Sequence, residues 1–474
     1  MSSSISILAW MYVLIFALGI IVELWRERHG QVAFPRSTAA AVAIAAIVIA
    51  LIQSRNSQQE LGGLALGPMI VGKHLSYVSA LTFKGKYVST IVSLVLFLAG
   101  VFFAPTVPIV RVRMSLVIAV QGLLIGLIQA SSVLTLLIIA ATMLLIFMSS
   151  VESHSKSLQE DERGVLRAVV FRRYHSIALL GITISILLRL SEETGLMQVS
   201  KSSEIVDLCM LGVSSAIMAG LFPFHSWVVP FLGAPRSTVF LPLLCIEMGM
   251  VLFLRLYSPL ISQYAHHSSI FIWIPALGLV YAALLFFGER RLKRIPGYLY
   301  LSHISLMSLS AIGFGHMGVT VSLLDGVNVL VAILGLMGVC ALLTSRFGVR
   351  GVLAPSGLGV LFPELAVCYL VCVLSLVGFP GTLGFINEEV MLEQGLEHQS
   401  LLVALIAMAL TLNGFSSFRL FARIFYGQPF QGRDPETAIL TRERIVIFFI
   451  LALIVINGVA PSFIVRALSD LGAS

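Results

Sequence analysis

The stretch Ala219–Pro242, AGLFPFHSWVVPFLGAPRSTVFLP, lies inside what reads as one hydrophobic span, with apolar runs on both sides. Pro223 has no N–H and its ring crowds the carbonyl four residues back, so a helix through it opens near Ala219. Irregular backbone at membrane depth is tolerated only where protein buries it or where it lines a wet cavity. His225 stands two residues beyond the break, ahead of Trp227 and a Gly233-Ala234-Pro235-Arg236 turn. Two readings compete. One is a plain proline kink beside a core histidine; the other is a discontinuous helix flanked by an ionisable group, the mark of a transport site.

The surrounding chain is written for a bilayer. Of 474 residues, 58% are hydrophobic and only 11% charged, and the mean hydropathy is +1.00. About fourteen stretches have the length that a crossing needs, near 5–25, 37–53, 87–104, 113–130, 132–149, 175–191, 205–233, 238–257, 269–288, 297–314, 322–344, 362–392, 399–425 and 444–465. The expectation is an all-α polytopic membrane protein, a single integral membrane domain over 1–474 with almost nothing left over for a soluble domain. Trp25-Arg26-Glu27-Arg28 follows the first span in place of a small-residue cleavage site, so that span is expected to be retained.

A formal net charge of +7 would suit nucleic acid, but its distribution points to topology instead. Of the 30 basic residues, only Arg55, Lys73, Lys84, Lys86, Arg189, Lys201, Arg255 and Arg466 fall after even-numbered spans; the rest follow odd ones. The positive-inside rule then places the odd loops in the cytoplasm and both termini on the outer face, as expected for a bacterial inner (cytoplasmic) membrane. Gln58–Lys86 reads as an outer loop with short interfacial pieces. Glu152–His175 is the longest charged cytoplasmic stretch, either a solvated connector or a docking surface for a soluble or peripheral partner. All five cysteines lie in apolar spans. Cys368 and Cys372 are one turn apart with no His or Cys partner in a nearby loop, and so read as buried thiols, not as a metal site. No phosphate loop, dinucleotide fingerprint or haem-attachment motif occurs, so no cofactor is expected and any redox driving comes from partner subunits.

A second interruption lies at Leu374–Glu393, LSLVGFPGTLGFINEEVMLE. Gly378, Pro380, Gly381 and Gly384 crowd mid-span, Glu388 and Glu389 follow, and Pro380 frees the carbonyl near Leu376 as Pro223 does at Ala219. The breaks fall in spans seven and twelve, five helices apart. An odd offset gives the two five-helix units opposite orientation, and paired interrupted helices in inverted halves point to a transporter architecture. The division expected is N-terminal helices and an outer loop over 1–110, a first repeat over 111–257, a second over 269–426 and a C-terminal helix over 427–474.

These residues resemble the antiporter-like membrane subunits of respiratory complex I (the NADH-quinone oxidoreductase subunit M/N/L type), a family shared with membrane-bound hydrogenases, Mrp antiporters and inorganic-carbon uptake complexes. Phe222-Pro223-Phe224-His225-Ser226-Trp227 with Ala234-Pro235 is similar to FPxHxWLP…EAP. Leu292-Lys293-Arg294 with Tyr298 and Ser302-His303 is similar to LKRxxAYSSxSH. Gly378-Phe379-Pro380-Gly381-Thr382 with Gly384-Phe385 and Glu388 is similar to GLPGTxGFxxE. The resemblance spans roughly residues 110–430 and implies two inverted half-channels with broken helices seven and twelve. It also implies a lysine on helix seven paired with a glutamate on helix five, and an exit group on helix twelve.

The chain departs from that relay. The helix-seven lysine position is Met218, Leu134–Phe147 holds no acid, the helix-eight basic position falls near Glu247, and span eleven carries Asp325 and Asn328 in place of His/Lys. Glu388 and His303 keep family ionisable positions. A carboxylate as deep as Glu247 costs about 3 kcal/mol on insertion scales, so it needs a partner, a cavity or a proton. His225 and His303 either relay protons or donate to an opened helix carbonyl. Two functions follow. The first is a proton- or cation-translocating subunit of a multisubunit complex, using His225, Glu247, His303, Asp325 and Glu388. The second is a non-pumping membrane scaffold that docks a soluble catalytic partner, as in an inorganic-carbon uptake complex.

Overall fold

A backbone surrounded by lipid has to satisfy its N–H and C=O groups within the protein, and among the described residues the apolar runs are helical apart from two breaks. The computed structural model describes residues 2–28, 35–55, 83–103, 114–130, 133–157, 162–193, 201–233, 240–257, 270–313, 315–351, 357–398, 400–427 and 439–460, with no strand among them. In chain order the helices are α1 (Ser2–Arg28), α2 (Pro35–Arg55), α3 (Phe83–Phe103), α4 (Met114–Gln129), α5 (Val133–Ser157) and α6 (Glu162–Glu193). The first broken segment is α7 (Lys201–Ala219) with the short α8 (Val228–Leu232). Then come α9 (Phe240–Leu252), running into a π-turn at Phe253–Tyr257, α10 (Ile270–Gly288), α11 (Ile295–Gly313) and α12 (Gly315–Gly351). A single turn α13 (Leu358–Leu361) leads to the second broken pair, α14 (Pro363–Leu376) and α15 (Leu383–His398), and α16 (Ser400–Phe425) and α17 (Thr441–Val459) follow.

Among the described residues, four stretches are long and apolar enough to cross a membrane by length and composition: Val133–Ser150, Ala168–Ser191, Val321–Phe347 and Ser400–Phe425. Outer helices turn large apolar side chains outward, such as Leu18 and Ile21 on α1, Leu180 and Leu187 on α6 and Ile456 on α17. A surface of this kind suits lipid or a neighbouring subunit and is unsuited to water.

At the centre is α11, whose residues from Ile295 to Ile312 are all buried, including Ser302, His303, Ser305, Ser308 and Ser310. It packs on α10, α12, α16 and the α8 turn of the first broken segment, and its His303 reaches the end of the second at Leu376 O. Ion pairs tie the periphery: Arg189 to Asp207 at 2.5 Å between α6 and α7, and Arg346 to Glu443 at 2.6 Å between α12 and α17. Arg444 also pairs with Glu364 at 3.1 Å.

Some sequence expectations meet a different or undescribed setting. Of the Gln58–Lys86 stretch, residues up to 82 lie outside the described residues and Phe83–Lys86 opens α3. The Ala234-Pro235-Arg236 turn is also outside them. In the Glu152–His175 stretch, the described residues belong to α5 and α6. Arg255, read as a loop residue, is buried in the π-turn. Its guanidinium donates to the carbonyls of Leu127 at 2.7 Å and Ala130, capping the C-terminal end of α4 where helix carbonyls lack partners.

Candidate functional site

Both interrupted helices end in the same way. At the first, Leu221 N–H donates to Ala216 O at 2.9 Å and Gly220 N–H to Ile217 O at 3.1 Å, with Gly220 at φ 71°. At the second, Phe379 N–H donates to Leu374 O at 3.0 Å and Val377 N–H to Val373 O at 3.0 Å, with Gly378 at φ 68°. These are glycine-terminated helix caps in which one left-handed residue turns the chain out of the helix. Gly381 is also left-handed, at φ 89°.

The caps leave carbonyls at each break for side chains to fill. Pro223 has no N–H to offer Ala219 O, and the buried Tyr300 hydroxyl donates to it at 2.9 Å. Trp227 Nε1–H adds a bond to Ile217 O at 2.9 Å. Pro380 likewise offers nothing to Leu376 O, which accepts from His303 Nε2–H at 2.8 Å. Asn328 Nδ2–H donates to Ser375 O at 3.0 Å, and Ser375 Oγ–H returns a bond to Asn328 Oδ1. Tyr300 and His303 are one turn apart on α11, so a single central helix holds the freed carbonyls of both breaks.

His303 links the second break to an acidic partner. A backbone carbonyl only accepts, so Nε2 must bear the hydrogen that it gives to Leu376. The other ring nitrogen, Nδ1, lies 3.2 Å from both Asp325 oxygens, and both groups are buried. With Nε2 already the donor, a hydrogen must also sit between Nδ1 and the carboxyl group, either as imidazolium–carboxylate or as imidazole–carboxylic acid. The pair therefore holds one exchangeable proton. Glu388, from the first turns of α15, lies within electrostatic reach of both partners. Its carboxylate rests on the Gly378 turn, where a Cβ would collide with Oε2, and its buried Oε1 has no hydrogen-bond partner among the described residues. Glu389 beside it is exposed.

The first half is built differently. Glu247 is buried on α9 and takes a hydrogen bond from Ser93 of α3. Ser93 Oγ itself accepts from Gln121 Nε2 of α4 at 2.8 Å, giving a chain Gln121 to Ser93 to Glu247. Glu247 Oε2 and Gln121 Oε1 are buried with no hydrogen-bond partner among the described residues. Met218 is fully buried, and α9 closes on it so tightly that a Cβ at Gly249 would collide with Met218 O. His225 joins neither carboxylate. It stands half-buried between Phe222 and Tyr281, with ring centroids 5.6 and 5.0 Å away.

The structure thus gathers His303, Asp325 and Glu388 at the second break, leaves Glu247 in a separate polar chain and sets His225 apart in an aromatic pocket. Ser93, Gln121, Tyr300 and Ser375 were invisible as site residues, since each gains its role only from a partner distant in sequence. His175 was missed as well. It is buried on α6, stacked on Phe171 with centroids 3.9 Å apart, with Nδ1 bonded to Phe171 O at 2.9 Å.

A family model described as NADH:quinone oxidoreductase/Mrp antiporter, transmembrane, matches residues 130–413. NADH-quinone oxidoreductase subunit M of Rickettsia bellii (strain RML369-C) is 24% identical over 252 residues, 52% of this chain and 49% of that one. The chain thus matches about half the length of that curated relative. Among solved structures, a chain of respiratory complex I from Thermus thermophilus with bound NADH superposes with a TM-score of 0.76 at 20% identity, covering 97% of this chain and 98% of that one. A chain of the Mrp complex from Dietzia sp. DQ12-45-1b gives 0.80 at 15% identity, covering 98% and 97%. At these identities the likeness is one of fold.

Proposed function

We propose that this chain, which belongs to the NADH:quinone oxidoreductase/Mrp antiporter family of transmembrane proteins, is a proton-handling subunit of a multisubunit membrane complex. In this reading it crosses the membrane about fourteen times as two inverted five-helix repeats with both termini outside, and meets a cytoplasmic partner through its basic loops. The two breaks lie near mid-membrane. His303, Asp325 and Glu388 hold and pass the proton beside the second break; Glu247 is the corresponding acid of the first half. The observation that carries this is the contact of His303 Nδ1 with Asp325 at 3.2 Å, buried beside a helix end and within the field of Glu388. A buried titratable group at membrane depth is costly, and its usual return is transport.

A second reading, a non-pumping scaffold, draws on the first half. The family's lysine position is Met218, sealed by α9, and Leu134–Phe147 contains no acid to pair with it. The two readings part in proteoliposomes holding the assembled complex, with driven acidification followed by a pH-sensitive dye. Asp325→Asn and Glu388→Gln preserve size and remove titration, so translocation should fall severalfold or more while assembly persists. Wild-type acidification by a complex carrying both substitutions would leave only the scaffold.

A further inference from the structure

We propose that the cleft between the ends of α10 and α16 binds the phosphate of an anionic phospholipid, a role separate from proton handling. The cleft has a volume of about 340 Å³ and is lined by Glu289, Arg290, Arg419, Leu420 and Arg423. Three arginines thus line it from two chain segments. Glu289 brings the opposing charge, yet both its oxygens are already engaged. Oε1 accepts from the backbone N–H of Arg290 at 2.9 Å and of Arg291 at 3.1 Å, and Oε2 accepts from Arg294 at 3.1 Å.

Arg419 is fixed in place before any ligand arrives. One of its amino groups donates to Phe287 O and, at 3.1 Å, to Glu289 O, and its guanidinium lies 5.2 Å from the Phe287 ring centroid. This anchors the α10 C-terminus and leaves the other amino group and Nε as donors. Guanidinium held in a fixed plane matches the oxygens of a phosphate better than a flexible ammonium does.

What selects a lipid over a soluble anion is the surface that runs away from the cleft. Leu284 and Phe287 on α10 and Phe415 and Phe418 on α16 are exposed, and the Phe287 and Phe415 rings stack with centroids 5.8 Å apart. A ligand here meets charge at one end and an apolar strip along the rest, the pattern of a headgroup and its acyl chain. Basic pockets between membrane helices recognise anionic headgroups on these grounds.

The full chain in nanodiscs, assayed by native mass spectrometry after delipidation and exchange, tests this. Wild type should retain dioleoylphosphatidylglycerol in preference to dioleoylphosphatidylcholine. Arg290→Gln combined with Arg423→Gln should lower that retention roughly tenfold, with Arg423→Gln alone giving a partial loss. Arg444→Gln, which removes a basic residue elsewhere, should change nothing. The proposal is overturned by equal retention of the two lipids in wild type, by undiminished retention in the double variant, or by full displacement with millimolar inorganic phosphate. The last result would identify a site for a soluble anion.

Discussion

Tyr300→Phe isolates a single atom of the arrangement at the first break. The ring stays, so no cavity forms; only the hydroxyl that donates to Ala219 O at 2.9 Å is lost. Ala219 and Tyr300 are both fully buried, and Pro223 stands where the next helical N–H would have come from. A buried carbonyl deprived of its only donor costs about 1–3 kcal/mol, and with no bulk water at hand the upper part of that range applies. Denaturation of the full chain in mixed micelles, followed by helical circular dichroism, would read this. Tyr281→Phe is the control, since Tyr281 is 40% exposed and should change stability by less than about 0.5 kcal/mol. If Tyr300→Phe proves as mild as Tyr281→Phe, the freed carbonyl is not held by α11 and the idea of one helix closing both breaks fails.

Glu247→Gln keeps size and hydrogen-bonding capacity but cannot exchange a proton; the complex should assemble and lose uncoupler-sensitive activity, whereas a wild-type rate would exclude Glu247 from the path. Arg255→Met removes the donors that cap α4 at Leu127 and Ala130, and should cost several kcal/mol by leaving buried carbonyls unmet; amide exchange should rise first in the last turn of α4, and unchanged protection there would refute the capping role. A reporter fused after Ser474 should be active only if it works on the outer face, and one placed within Glu160–Arg167 only if it works in the cytoplasm; the reverse pattern would overturn the proposed count of spans.

The legible parts of this protein were those that depend on neighbours in sequence. Apolar run length gives helix, because no other open segment satisfies its backbone in lipid. A proline identifies the carbonyl that it deprives by simple counting, and α7 and α14 end at Ala219 and Leu376, four residues before Pro223 and Pro380. The donor that meets each carbonyl is beyond counting, for it arrives from 81 residues away at Tyr300 and from 73 residues away at His303. Arg255 is similar: its position beside a polar stretch suggests a loop, and only a contact 128 residues away shows a helix cap. The pairing of His303 with Asp325 was legible as two candidate residues but not as one proton, because the proton follows from which nitrogen faces Leu376. Tyr300 holds a position where the family motif quoted above has serine, and Met218 the position where the resemblance implies a helix-seven lysine. A tyrosine reaches the first break from α11 where a serine is too short. In this chain the first break is thus closed by a neutral hydroxyl, while the second is closed from the same helix by a histidine bound to an acid.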